Sequence, residues 1–112
     1  MKKGQLIKLY GVIRDLKSGD LGESLYPYAK LRLKLKALHE DFEEARREFS
    51  EQAKTEDKIQ HQKAFEPLMN QWLDEEIEIN TKVFTFEIAL NFCNHNDVVG
   101  SIQDKILNTM TK

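Results

Sequence analysis

Seven residues of this chain, Tyr28, Leu31, Leu35, Leu38, Phe42, Ala45 and Phe49, succeed one another at alternating steps of three and four. That spacing holds one narrow apolar seam in a fixed direction over roughly six helical turns, so the segment must lie along another helix. A residue pattern of this kind specifies a scaffold. No catalytic or ligand-binding motif elsewhere in the 112 residues matches it in length or regularity.

The rest of the chain divides around that seam. Leu6, Leu9, Ile13 and Leu16 repeat at helical spacing and predict an amphipathic helix over residues 5–17. Ser18, Gly19 and Asp20 end it, with Gly19 suited to the left-handed conformation at a helix C-terminus. The long helix is expected over 24–54, with Ser24 as its N-cap and Pro27 in the first turn. Between Gln52 and Gln62 the seam lapses, with Ala53 and Ile59 its only apolar members, which predicts the tip of a helical hairpin rather than a continuous rod. Phe65, Leu68, Met69, Trp72 and Leu73 then predict a return helix over 59–75, opened or kinked by Pro67.

The period changes at Glu76, Ile77, Glu78, Ile79 and Asn80, where polar and apolar residues alternate. This predicts a short β element over 76–86, with Val83 to Phe86 as the second strand of a hairpin. Short helices follow over 86–110, the first capped by Thr85 and the last opened by a Ser101/Asp104 capping box. The expected fold is mainly α: a coiled-coil-like helical hairpin in one domain over 1–112, with an N-terminal helix, a short β element and short C-terminal helices.

Composition narrows the function classes. Charged residues make up 32% of the chain, 17 basic against 19 acidic, a net of -2 with no general attraction to nucleic acid or anionic lipid. A single cysteine, Cys93, excludes an intramolecular disulfide and a cysteine-based zinc ribbon. With no signal-peptide core after Met1-Lys2-Lys3 and no apolar run of ~18 residues, the reading is a cytoplasmic protein with no membrane partner.

Three clusters carry charge or reactive groups. The acidic run Asp74, Glu75, Glu76 and Glu78 straddles a change of period and lacks a calcium-loop glycine, which favours a solvated face over a metal site. Cys93, His95 and Asp97 sit two apart, which fits neither a helix face nor common zinc spacings, so no catalytic, cofactor or metal residue is assigned. Lys30, Arg32, Lys34 and Lys36 form a basic collar followed at once by Glu40, Asp41, Glu43 and Glu44. An antiparallel helix of the same kind would match this split end to end, which favours an acidic protein partner over nucleic acid.

The opening Gln5-Leu6-Ile7-Lys8-Leu9-Tyr10, the Tyr28-Ala29-Lys30 entry to the long helix, the Phe42-Glu43-Glu44-Ala45-Arg46 stretch and the later Glu75-Glu76-Ile77-Glu78-Ile79 together resemble small phage, prophage and mobile-element proteins of unknown function. The resemblance spans roughly residues 5–80. It implies a small accessory protein that works through contacts and carries no functional residues over. The expectation is a non-catalytic interaction or assembly protein, self-associating or meeting a helical partner along the Tyr28 to Phe49 seam. The alternatives are a nucleic-acid-binding accessory protein using Lys30 to Lys36, and an inhibitor of a host enzyme.

Overall fold

A computed structural model describes residues 1–112, of which 71% are helical, in five helices and without a sheet. Helix α1 runs Lys3–Ile13, α2 Leu25–Gln52, α3 Lys58–Asp74, α4 Phe86–His95 and α5 Gly100–Met110. One 3-10 turn, Gly22–Ser24, leads into α2. Ser24 stands at the N-cap of α2 but makes no side-chain cap bond, because the 3-10 turn brings the chain in already coiled.

The turn after α1 is built on Gly19, whose φ of +64° suits a residue without a side chain. The His95 ring lies so close that a Cβ on Gly19 would stand 2.9 Å from it. Asn96, just past α4, locks the same turn: its Oδ1 accepts from the Lys17 N–H at 2.7 Å and its Nδ2 donates to the Lys17 carbonyl at 2.8 Å.

At 28 residues and ~1.5 Å per residue, α2 is about 42 Å long. Five residues after it, Asp57 caps α3 by accepting from the Ile59 and Gln60 N–H groups, and the His61 ring meets the Ala53 carbonyl at 3.0 Å. The chain thus turns back, and Trp72 near the end of α3 meets Phe42 in the middle of α2, with ring centroids 5.7 Å apart. Pro67 lies inside α3, exposed, and does not open it.

The core occupies one end of the molecule. Leu6, Leu9 and Ile13 of α1 pack with Tyr28, Leu31, Leu35 and Leu38 of α2, with Val83 and Phe84, and with Phe92 and Ile106 of α4 and α5. Tyr28, Phe84 and Phe92 form its aromatic centre, with ring centroids 5.2 to 5.4 Å apart. Beyond Leu38 the α2/α3 pair continues as an arm. The overall extents are therefore 52 × 25 × 19 Å, and the radius of gyration of 16.8 Å exceeds the ~13 Å of a compact chain of this length.

The expected β element over 76–86 does not form. Ile77 and Ile79 do point inward while Glu76 and Glu78 are exposed, so the alternation reports real burial. The backbone partners, however, come from elsewhere. Lys3 N–H donates to the Glu75 carbonyl at 2.9 Å and Ile77 N–H to the Met1 carbonyl at 3.0 Å, giving one isolated antiparallel bridge between Lys2 and Glu76. Phe84 N–H donates to the Met110 carbonyl and Lys112 N–H to the Phe84 carbonyl, a parallel bridge from Phe84 to Thr111. A hairpin within 76–86 is pre-empted because Thr81 turns inward and its hydroxyl donates to the Thr109 carbonyl at 2.9 Å, while Asn80 Oδ1 accepts from the Lys82 N–H. The segment is an extended strap that clamps residues 1–3 and 110–112.

Candidate interaction site

The residues of the apolar seam are split between two environments. Tyr28, Leu31, Leu35 and Leu38 are each 5% exposed or less, covered by the chain's own α1, strap and C-terminal helices. Phe42, Ala45 and Phe49 are half-buried against α3. The first four are therefore interior residues with no surface to offer a second chain.

The opposite face of α2 is solvent-facing, and its composition is unusual. Tyr26, Lys30, Leu33, Ala37, Glu40 and Glu44 follow at steps of four and three, so they form a second stripe along the helix. All six are exposed, with Tyr26 at 74% and Leu33 at 69%; Leu25 beside them is at 51%. Leu25, Tyr26 and Leu33 place three large apolar side chains along the outside of one helix, and contiguous exposed apolar surface is what marks a contact face.

Charge on this stripe is segregated. Lys30, Lys34 and Lys36 surround its N-terminal half and Glu40, Asp41 and Glu44 its C-terminal half, and none of the six has an ion partner within the chain. Arg32, the fourth cation of the collar, is committed elsewhere: its guanidinium donates to the Arg14 carbonyl at the end of α1. The collar thus reduces to three lysines, on both flanks of the helix.

The acidic run after α3 has a structural occupation. Asp74 pairs with Lys2 at 3.6 Å, Glu75 with Lys3 at 2.9 Å, and Glu76 with the Met1 amine at 3.4 Å. Lys3 also lies over the Trp72 ring, 4.5 Å from its centroid, so the run forms a rail that holds the start of α1 against the end of α3. No three His, Cys, Asp or Glu side chains converge as a metal-binding group. Cys93 is completely buried, and burial pushes its thiol pKa up, away from a reactive thiolate, while His95 is exposed beside Gly19. No helix is long and apolar enough to cross a membrane.

Sequence reasoning placed the seam residues on one face but missed the outward stripe. The signal was present as the same 4-3-4-3-4 spacing, offset from the seam by two, and was masked because half of its members are charged. Comparison of the chain with protein-family models, with curated proteins and with solved structures finds no match.

Proposed function

We propose that this is a non-catalytic interaction and assembly protein, in keeping with its resemblance to phage and mobile-element proteins, and that it self-associates through the outward face of α2. The observation that carries the reading is the exposed stripe from Tyr26 to Glu44, apolar at its centre and opposite in charge at its two ends. Two such stripes laid antiparallel about a two-fold axis near Leu35 bring Leu33 against Ala37, Lys30 against Glu40 and Tyr26 against Glu44. Each contact occurs twice, as an isologous interface requires. A parallel arrangement would instead stack lysine on lysine and glutamate on glutamate.

The contact is small, and exposed ion pairs contribute about 0.2–1 kcal/mol each, so the dimer is weak and salt-sensitive. Nucleic acid is a poorer occupant, because Glu40 and Glu44 lie on the same stripe as Lys30 and repel phosphate. Inhibition of another protein would use the same face with a foreign helix.

Light scattering coupled to size exclusion, across concentration and at low and high salt, tests the reading. A dimer that dissociates on dilution and in salt is expected, and Leu33→Lys abolishes it. Lys30→Glu alone weakens the pair, and mixing it with Glu40→Lys restores a heterodimer. A monomer at every concentration in low salt would sink self-association.

A further inference from the structure

The short turns between helices are not fixed alike. The turn after α1 carries Gly19 and Gly22 at φ of +64° and +52°, and the turn after α4 carries Asp97 and Gly100 at +54° and +68°. Left-handed residues do not propagate a right-handed helix, so both of these turns are committed. The tip between α2 and α3, residues 53–57, holds no glycine, no proline and no residue at positive φ. Helical bonding already runs into it, since the Ala53 N–H donates to the Phe49 carbonyl at 2.9 Å and the Lys54 N–H to the Glu51 carbonyl at 3.2 Å. Only Thr55, Glu56 and Asp57 then separate that bonding from the start of α3, and none of them is a helix breaker. What keeps the tip folded is local: the Asp57 side chain accepting from the Ile59 and Gln60 N–H groups, and the His61 ring on the Ala53 carbonyl. Behind the tip, α3 buries Met69 alone.

We propose that the tip is a hinge for arm exchange: two copies of the chain trade residues 58–112, while α2 and α3 straighten into one helix over residues 25–74, about 75 Å long. Two contacts set the register of the arm, Phe42 with Trp72 and Ala53 with His61, and in each the residue numbers total 114. Two straight antiparallel helices related by a two-fold axis at residue 57 keep that register. Phe42 of one chain then meets Trp72 of the other, and the strap, α4 and α5 of one chain close the core on Tyr28, Leu31 and Leu35 of the other. The exchange gives up the two Asp57 caps and gains unbroken helical hydrogen bonding through both hinges. Because the remaining contacts are remade, the exchanged dimer forms as the chain concentration approaches the effective concentration of the two halves within one chain, mM for a short linker. It uses the inner face of α2 and none of the outward stripe, so it stands whether or not that stripe pairs.

The test is refolding of the full chain from urea at about 10 μM and about 1 mM, followed by light scattering coupled to size exclusion. Leu33→Lys is present throughout, so pairing through the outward face is removed and the two proposals fail separately. A dimer is expected from the concentrated sample only, persisting long after dilution because its halves part only by unfolding. Asp57→Ala should tighten it by about tenfold or more, since the cap is lost from the hairpin alone. Lys54→Gly, Thr55→Gly and Glu56→Gly together should loosen it by about tenfold or more, since glycine disfavours the straight helix and not the turn. Spin labels at Arg46→Cys and Ala64→Cys, on chains diluted into unlabelled protein, should lie about 27 Å apart along one straight helix in the dimer, against about 10 Å between the neighbouring helices of the hairpin. A monomer after refolding at about 1 mM overturns the proposal. A dimer that keeps the hairpin distance, or that forms equally well with the three glycines, overturns it as well.

Discussion

The two halves of α2 carry one heptad pattern and reach two different outcomes. From Tyr28 to Leu38 the seam is sealed by α1 on one side and by the strap, α4 and α5 on the other, and every member is buried. From Phe42 to Phe49 only α3 lies alongside, and each member remains half-exposed. Heptad spacing therefore fixes which face of a helix meets a neighbour, while burial depends on how many neighbours arrive. Along the arm, α3 contributes Met69 as its only buried side chain. Apolar burial stabilises by about 25 cal/mol per Å² removed from water, so the arm is held by much less than the core end.

Substitution in the two halves measures that difference, and the largest effect is expected at Phe84. Its ring is fully buried between Tyr28 and Phe92, and Phe84→Ala should cost about 3–5 kcal/mol in urea unfolding. Phe49→Ala removes a ring that still faces water on one side, and about 1–2 kcal/mol is expected. Equal losses at the two sites would break the comparison and show that the arm unfolds only together with the core.

Helix caps sharpen the same contrast at smaller magnitude. Thr85 accepts from the Ile88 N–H at the start of α4, and Asp57 accepts from two N–H groups at the start of α3. Each replacement by Ala should cost about 1 kcal/mol locally. For Thr85→Ala that loss should appear in global unfolding, because α4 is part of the core. For Asp57→Ala it should appear as faster amide exchange at Ile59 and Gln60, with little change in the most protected amides of α1.

What could be read from the sequence follows the same division. The existence of the helices, the left-handed Gly19 and the Thr85 cap were legible because each depends on residues a few positions apart, but α1 ends at Ile13, four residues before the expected Lys17, and α5 starts at Gly100 on Val99 with no side-chain cap, so Ser101 lies inside it. The strap was misread because alternation at Glu76 to Ile79 reveals which side chains are buried but says nothing of what supplies their backbone partners. Those partners are Met1, Lys3 and Met110, distant in sequence. The Asn96 latch on Lys17 and the ion-pair rail on residues 1–3 are long-range in the same way. Asp57 was an available local signal, an aspartate immediately before a helix, passed over within a run of charges. The interaction face was hidden for another reason. Its spacing is as regular as the seam's, but a stripe that mixes Tyr26 and Leu33 with Lys30 and Glu40 becomes conspicuous only once the opposite face is known to be buried.

The smallest of the expected effects is also the most diagnostic of how the core end is built. Tyr28 stands wholly in the sealed half, its ring in the aromatic centre and its hydroxyl buried without a hydrogen-bond partner. Below about pH 9, Tyr28→Phe deletes an unpaired hydroxyl without disturbing the stacking, so stability should be unchanged or higher by up to about 1 kcal/mol. Above that the two proteins should diverge. Burial raises the folded-state pKa of Tyr28 above its ordinary value of 10.0, so the folded chain keeps its proton while the unfolded chain releases it. The unfolded state gains free energy from that release, and the wild-type chain loses stability as pH rises from about 10 toward the folded pKa. The Tyr28→Phe chain has no phenolic proton to release at this position, so its advantage over wild type should widen across that interval in urea titrations at successive pH values. A constant difference would mean that the Tyr28 hydroxyl reaches solvent in the folded protein, and would place the aromatic centre nearer the surface than its burial implies.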